Sequence, residues 1–167
     1  MKLRNNEGSG ATRSLFFLLT LTRESEAFVI YTIGYGGLKN LHELIDIMDR
    51  KKIGKLVDVR SKPTAWCNFF KGSTLKKALG ERYEWAGDRL GGFNPIDEKE
   101  IEALAKRNKG NTLLLMCSEK DPARCHRHYE IAFRLLDYGV VAVHLVNLVE
   151  YPADKVPVQK GGVKWLS

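Results

Sequence analysis

The sequence predicts a single α/β domain, a mainly parallel sheet flanked by helices in a Rossmann-like three-layer arrangement. From Phe28 onward, short β-rich apolar runs alternate with segments of helical period. The strand, helix, strand order fits the right-handed βαβ crossover. With no internal repeat or linker, 167 residues are enough to bury one core without disulfides or metals.

The elements follow in order. Phe28 to Ile33 reads as the first strand, ending in Gly34-Tyr35-Gly36-Gly37, where glycine lets another backbone approach. Leu38, Leu41, Leu44, Ile45 and Met48 recur at spacings of three and four, one buried helical stripe. Lys55 to Arg60 is the second strand, and Pro63 stops it. Residues 61–72 form a loop mixing Trp66, Phe69 and Phe70 with Lys62 and Lys71, longer than an ordinary βα connection. A short helix from Ser73 to Leu79 leads to a strand at Arg82 to Ala86 and the glycine-bearing loop 87–93. Asp97 and Glu100 suggest a capping box for a helix that buries Ile101 and Leu104. Thr112 to Cys117 is the next strand. Asp121 as N-cap and Pro122 at the first helical position then start a helix running to Tyr138, which Gly139 stops. Val140 to Leu145 is the last expected strand.

Residues 1–27 read as an extension, flexible or non-native, ahead of a domain spanning 28–150. The apolar run Ser14 to Thr22 is too short to cross a bilayer. Ser25-Glu26-Ala27 resembles a cleavage site, but Arg23, Glu24 and Glu26 are unusual so near a cut. Residues 151–167, with two prolines and Gly161-Gly162, read as a surface tail. Cys67, Cys117 and Cys125 lack the spacing of a secreted disulfide framework, so a cytoplasmic location is expected. No membrane association is expected, and the oligomeric state is open.

Chemistry concentrates in the run from Leu113 to Arg127, where an apolar strand delivers Cys117 into a loop that opens a helix. Helix N-termini favour negative charge, so this loop suits a reactive thiol or an anion. A net charge of +7 favours anionic partners in general. Ligands in open parallel sheets sit beyond the carboxyl ends of the strands. That rule gathers Tyr35 and Gly36 after the first strand, Arg60 and Lys62 after the second, Cys117 to Lys120 after the fourth and His144 on the fifth.

Four segments, Tyr31-Thr32-Ile33-Gly34-Tyr35-Gly36, Leu56 to Pro63, Leu90-Gly91-Gly92 and Cys117 to Arg127, together resemble the family catalogued as domain of unknown function 488. The resemblance covers roughly residues 29–146 and implies a small α/β domain of unassigned activity. A looser likeness, from Asp58-Val59-Arg60 ending one strand and Cys117 ending another, is to rhodanese-like sulfurtransferases and to cysteine phosphatases. Those families place an arginine or an amide nest immediately after the cysteine, whereas here Arg124 stands seven positions on.

The leading expectation is an anion-binding protein, acting as a cysteine-dependent hydrolase or transferase on a phosphate-bearing or nucleic-acid substrate. Cys117 is the candidate nucleophile, and Asp58 or Glu119 transfers a proton or positions a clamp. Tyr35, Gly36, Arg60, Lys62, Arg89, Lys120, Arg124 and Arg127 are the candidate substrate contacts, guanidinium geometry suiting phosphate oxygens. The bland alternative for Asp58 is an ion pair that orients Arg60 or Arg89, and for Cys117 a buried strand residue. No cofactor is expected. Cys117, Cys125, His126 and His128 lack the paired spacing of dependable metal motifs, so no metal is expected either. A non-catalytic nucleic-acid-binding module and a rhodanese-like sulfurtransferase are the alternatives. Trp66, Phe69, Phe70, Tyr83 and Trp85, interleaved with Lys71, Lys76, Lys77 and Arg82, are the residues the first of these would use.

Overall fold

The computed structural model describes residues 28–157, so the expectations for residues 1–27 and for the tail beyond 157 lie outside the described residues. Six strands form one sheet: β1 (Phe28–Gly34), β2 (Lys55–Asp58), β3 (Tyr83–Trp85), β4 (Leu113–Cys117), β5 (Val140–Val146) and β6 (Val149–Pro152). Their spatial order is β3-β2-β4-β1-β5-β6, and every pairing is parallel except β5 with β6. The chain is an α/β protein with helices on both faces of the sheet.

Strand alternation divides the core in two. Leu56, Leu114, Met116 and Ile33 point to one face, where they meet Leu44, Ile47 and Met48 of α1 (Leu41–Arg50) and Leu75 and Leu79 of α2 (Gly72–Leu79). Val57, Val59, Leu113, Leu115 and Cys117 point to the other. There they pack on the one-turn helix α3 (Gly87–Leu90), on Ile101 and Leu104 of α4 (Glu98–Gly110) and on Ile131 and Leu135. Asn40 caps α1 by accepting the Glu43 amide at 3.0 Å. Asp97 caps α4 through the Lys99 amide at 3.0 Å, but Glu100 turns to Arg89 and Arg107 instead of closing a capping box.

The helix expected from Pro122 to Tyr138 is not continuous. Asp121 caps only a 3-10 turn, Pro122–Arg124, and Cys125 is extended (φ −122°, ψ 137°). The chain then re-enters as a π-helical segment, Arg127–Ala132, and finishes as α5 (Phe133–Leu136). The break turns Cys125 and His126 back toward Cys117, and Cys125 and His126 are buried. β6, absent from the sequence reading, extends the sheet beyond residue 150. Its four residues are all exposed, so no buried apolar stripe marked it.

β1 and β4 are neighbours, with Gly34 opposite Cys117. At the carboxyl ends the loops leaving β1 and β4 touch, the Gly36 amide donating to the Ser118 carbonyl at 3.1 Å, and the segments that follow pack on opposite faces of the sheet.

Candidate functional site

A cleft of about 360 Å³ lies at that end of the sheet, lined by Arg60, Lys62, Cys117, Arg124, Cys125 and His126, with Ser118, Glu119 and Phe93 at its edges. Residues from the second, third and fourth strand exits therefore meet in one place.

The imidazole of His126 organises the floor. Its Nε2 lies 3.1 Å from the carbonyl oxygen of Val59 and 2.9 Å from that of Leu90. Two carbonyls can only accept, so Nε2 carries the hydrogen and the lone pair of the neutral ring falls on Nδ1. Nδ1 faces the sulfurs of Cys117 at 3.9 Å and Cys125 at 3.8 Å. The two Sγ atoms and a His126 nitrogen all lie within 4.8 Å of one another. Gly92 makes room for the ring, since a Cβ there would stand 2.9 Å from Nδ1. Val59, Leu90-Gly92 and Cys117 to His126 thus belong to one assembly, although more than sixty positions separate Val59 from His126.

Both cysteines are free. A hydrogen bond between them raises Cys117, with burial adding to the rise, and lowers Cys125. Burial opposes the fall at Cys125, but His126 and the charge of Arg127 reinforce it, so Cys125 is the more acidic thiol of the pair. In a continuous helix from Pro122, Cys125 and His126 would point about 100° apart and could not both face Cys117. The break in that helix removes the restriction.

Arg60 is held from beneath. Its Nε and Nη2 donate to the two oxygens of Asp58 at 2.7 and 2.5 Å, and Nη1 donates to the Thr64 carbonyl at 2.9 Å. The guanidinium also lies 5.1 Å from the ring centroid of Tyr35, which stacks on Phe70. Tyr83 donates its hydroxyl to Asp58 at 2.9 Å; burial, then the Asp58 charge, raises the phenol. Asp58 is fully buried and points with Met116 to the face opposite Cys117. It therefore positions Arg60 and is not placed to exchange a proton with the thiols.

Other expected contacts separate. Lys62 and Arg124 are exposed residues of the cleft. Glu119 lines both the cleft and a neighbouring hollow beside Tyr35, Gly36 and Trp66. Gly36 serves the backbone: its amide donates to the Ser118 carbonyl at 3.1 Å, and a Cβ would stand 2.9 Å from that oxygen. Arg127 is no open anion contact. Wholly buried, it donates to Thr32 Oγ1 at 3.2 Å and to the carbonyls of Glu119 at 2.6 Å and Lys120 at 3.2 Å, clamping the loop after β4. Arg89 lies outside the cleft, bonded to Glu100 at 2.9 Å, because the one-turn helix α3 points it toward α4. Lys120 lies over Gly37 on the far side of the loop, and His144 is buried within the sheet.

The aromatic set divides too. Phe70 and Tyr83 are core, and Trp85 donates its indole N–H to the Arg60 carbonyl at 2.9 Å. Trp66 is fully exposed and Phe93 is 87% exposed. Among the described residues no helix is long and apolar enough to cross a membrane. No protein-family model matches this sequence, and neither a curated protein nor a solved structure matches it.

Proposed function

We propose that this chain is a cysteine-dependent hydrolase or transferase acting on a phosphate-bearing substrate. Arg60, Lys62 and Arg124 hold the anion, and the Cys117, Cys125 and His126 cluster is the reactive centre. The observation that carries this reading is the opening of all six residues onto one cleft.

The chemistry follows from the orientation of His126. A thiol of the pair gives its proton to Nδ1, leaving a thiolate beside an imidazolium, and the thiolate attacks the electrophilic centre of the bound substrate. The leaving oxygen takes the proton back from Nδ1, and water or an acceptor then releases the group from sulfur. Arg60 enters with its geometry already set, because Asp58 and Thr64 occupy three of its five N–H donors and leave two for an anion. Exposed Phe93 at the cleft and Trp66 in the adjoining hollow offer stacking planes, which favours a nucleotide or nucleic-acid end over inorganic phosphate as the natural ligand. Parts of three of the four segments that carry the resemblance to the domain of unknown function 488 family, around Val59, Leu90-Gly92 and Cys117 to His126, build the His126 assembly.

The test combines turnover with binding. Nucleotides and short oligonucleotides are assayed for ester cleavage or group transfer, and binding is titrated across salt concentrations. A Cys117→Ser, Cys125→Ser double variant should lose turnover yet keep salt-sensitive binding, while a Lys62→Ala, Arg124→Ala variant should weaken binding roughly tenfold or more. Unchanged turnover in the double-serine variant would overturn the cysteine-dependent reading.

A further inference from the structure

The same three residues that form the reactive centre have the donor set, spacing and support of a metal seat. We propose that Cys117, Cys125 and His126 bind one thiophilic divalent cation of the zinc class, with the fourth coordination position open to the anion-binding cleft. The proposal rests on the reading of this cluster as the centre of the site, and it changes what meets the substrate there.

Ligand type comes first. Two sulfurs and an imidazole are the donors that zinc-class ions prefer over the oxygen donors of magnesium or calcium. Spacing agrees. Sulfur and nitrogen bound to one tetrahedral zinc at about 2.3 and 2.1 Å stand roughly 3.6 Å apart. Nδ1 is 3.9 Å from one sulfur and 3.8 Å from the other, within a few tenths of an ångström of that spacing, and the two sulfurs lie within 4.8 Å of each other.

Support for the ligands is also in place. Metal-bound imidazoles donate their other nitrogen to an acceptor that fixes ring and tautomer. His126 Nε2 has two such acceptors, the carbonyls of Val59 and Leu90, and they leave Nδ1 as the nitrogen that coordinates. Gly92 supplies the clearance the ring needs. Cys117 sits at the end of a strand and Cys125 at the break after the 3-10 turn, so both sulfurs are held by ordered backbone.

Among the described residues the group has three members and no fourth protein donor. Structural zinc sites use four protein ligands, whereas three with an open position characterise sites where the ion meets a substrate or water. On loading, each thiol releases its proton to solvent and the two thiolates offset the charge of the ion. The open position then takes water or an anionic oxygen of the ligand held by Arg60, Lys62 and Arg124. With the ion bound the sulfurs are its ligands and no longer the attacking groups of the metal-free chain, and the ion would act as a Lewis acid on the oxygen at the open position.

The experiment adds zinc or cobalt(II) to the metal-free, reduced full chain. One cobalt per chain is expected, with intense visible bands of a tetrahedral site and a thiolate charge-transfer band in the near ultraviolet. Cys125→Ser and His126→Gln should each weaken binding roughly a hundredfold, while Cys67→Ser leaves it unchanged. A second measurement needs no variant: one equivalent of zinc should block alkylation of Cys117 and Cys125 and leave exposed Cys67 reactive. The absence of a thiolate band together with zinc-insensitive alkylation would overturn the metal site. If phosphate still protected the two thiols in that case, the cysteine-dependent reading would stand without the metal; if neither protected them, both would fall.

Discussion

Asp58 grips Arg60 through both carboxylate oxygens, at 2.7 and 2.5 Å, with neither side chain more than 3% exposed. Two residues two positions apart thus form a buried ion pair at and just past the end of β2, with Arg60 among the residues that line the cleft. Removing one partner leaves the other charge buried and uncompensated, which costs about 3–5 kcal/mol. Asp58→Ala is expected to lower unfolding stability by about that amount in a urea titration, and Asp58→Leu combined with Arg60→Leu by much less. A loss in the double variant equal to the sum of the losses of Asp58→Leu and Arg60→Leu made singly would mean that the pair is not coupled as the geometry requires.

Arg127 is expected to act on the loop and not on the ligand. Its three bonds tie the carbonyls of Glu119 and Lys120 to Thr32 on β1. Arg127→Met should lose about 3 kcal/mol by abandoning buried acceptors. It should also raise amide exchange of residues 118–121 well above that of β4. Unchanged loop exchange would contradict the clamp.

His144 sets an acid limit on stability. Arg127 donates to the Thr32 hydroxyl, which is hydrogen-bonded to His144 Nδ1 at 2.6 Å, and His144 Nε2 is hydrogen-bonded to His128 Nδ1 at 2.9 Å. Burial, with the neighbouring charges of Arg127 and His128, pushes His144 down to about 3. The unfolded imidazole titrates near 6.5, so between these values the unfolded chain binds the extra proton. Stability from this residue is therefore full above about pH 6.5 and declines as the pH falls toward 3, by up to about 1.4 kcal/mol per pH unit. Urea unfolding from pH 7 to pH 4 should show this slope, and His144→Asn should flatten it.

Gly92→Ala probes the support of His126. Its Cβ would meet the ring at 2.9–3.0 Å, so imidazole or loop must shift. A stability loss of about 1–3 kcal/mol is expected, together with a displaced His126 ring resonance in NMR spectra. An unmoved resonance would show that the ring has slack there.

Most of the architecture was legible because buried parallel strands carry strong apolar runs and α1 carries a clear helical stripe. β6 escaped because its residues are all exposed and form an antiparallel edge. The candidate anion contacts Arg60 and Lys62 followed from the rule about strand ends, and Arg124 from the loop that follows Cys117. The Cys125 and His126 contribution did not, since Asp121-Pro122 signalled a helix start truly, but for a 3-10 turn of three residues. Nothing local to Val59 or Leu90 announces that their carbonyls hold a histidine dozens of positions away. Arg89 and Arg127 show the complementary limit: a basic residue near a predicted site can face a carboxylate or buried carbonyls, and sequence spacing does not tell which.

The most direct measurement is residue-resolved alkylation of the full chain by mass spectrometry, with and without a nucleotide, using exposed Cys67 as the internal reference. The account predicts that Cys117 and Cys125 react as a pair whose rate falls when the anion occupies the cleft, while Cys67 is unaffected. Modification of Cys117 and Cys125 that ignores every phosphate-bearing ligand would contradict it, because the thiols and the arginines would then not share a site.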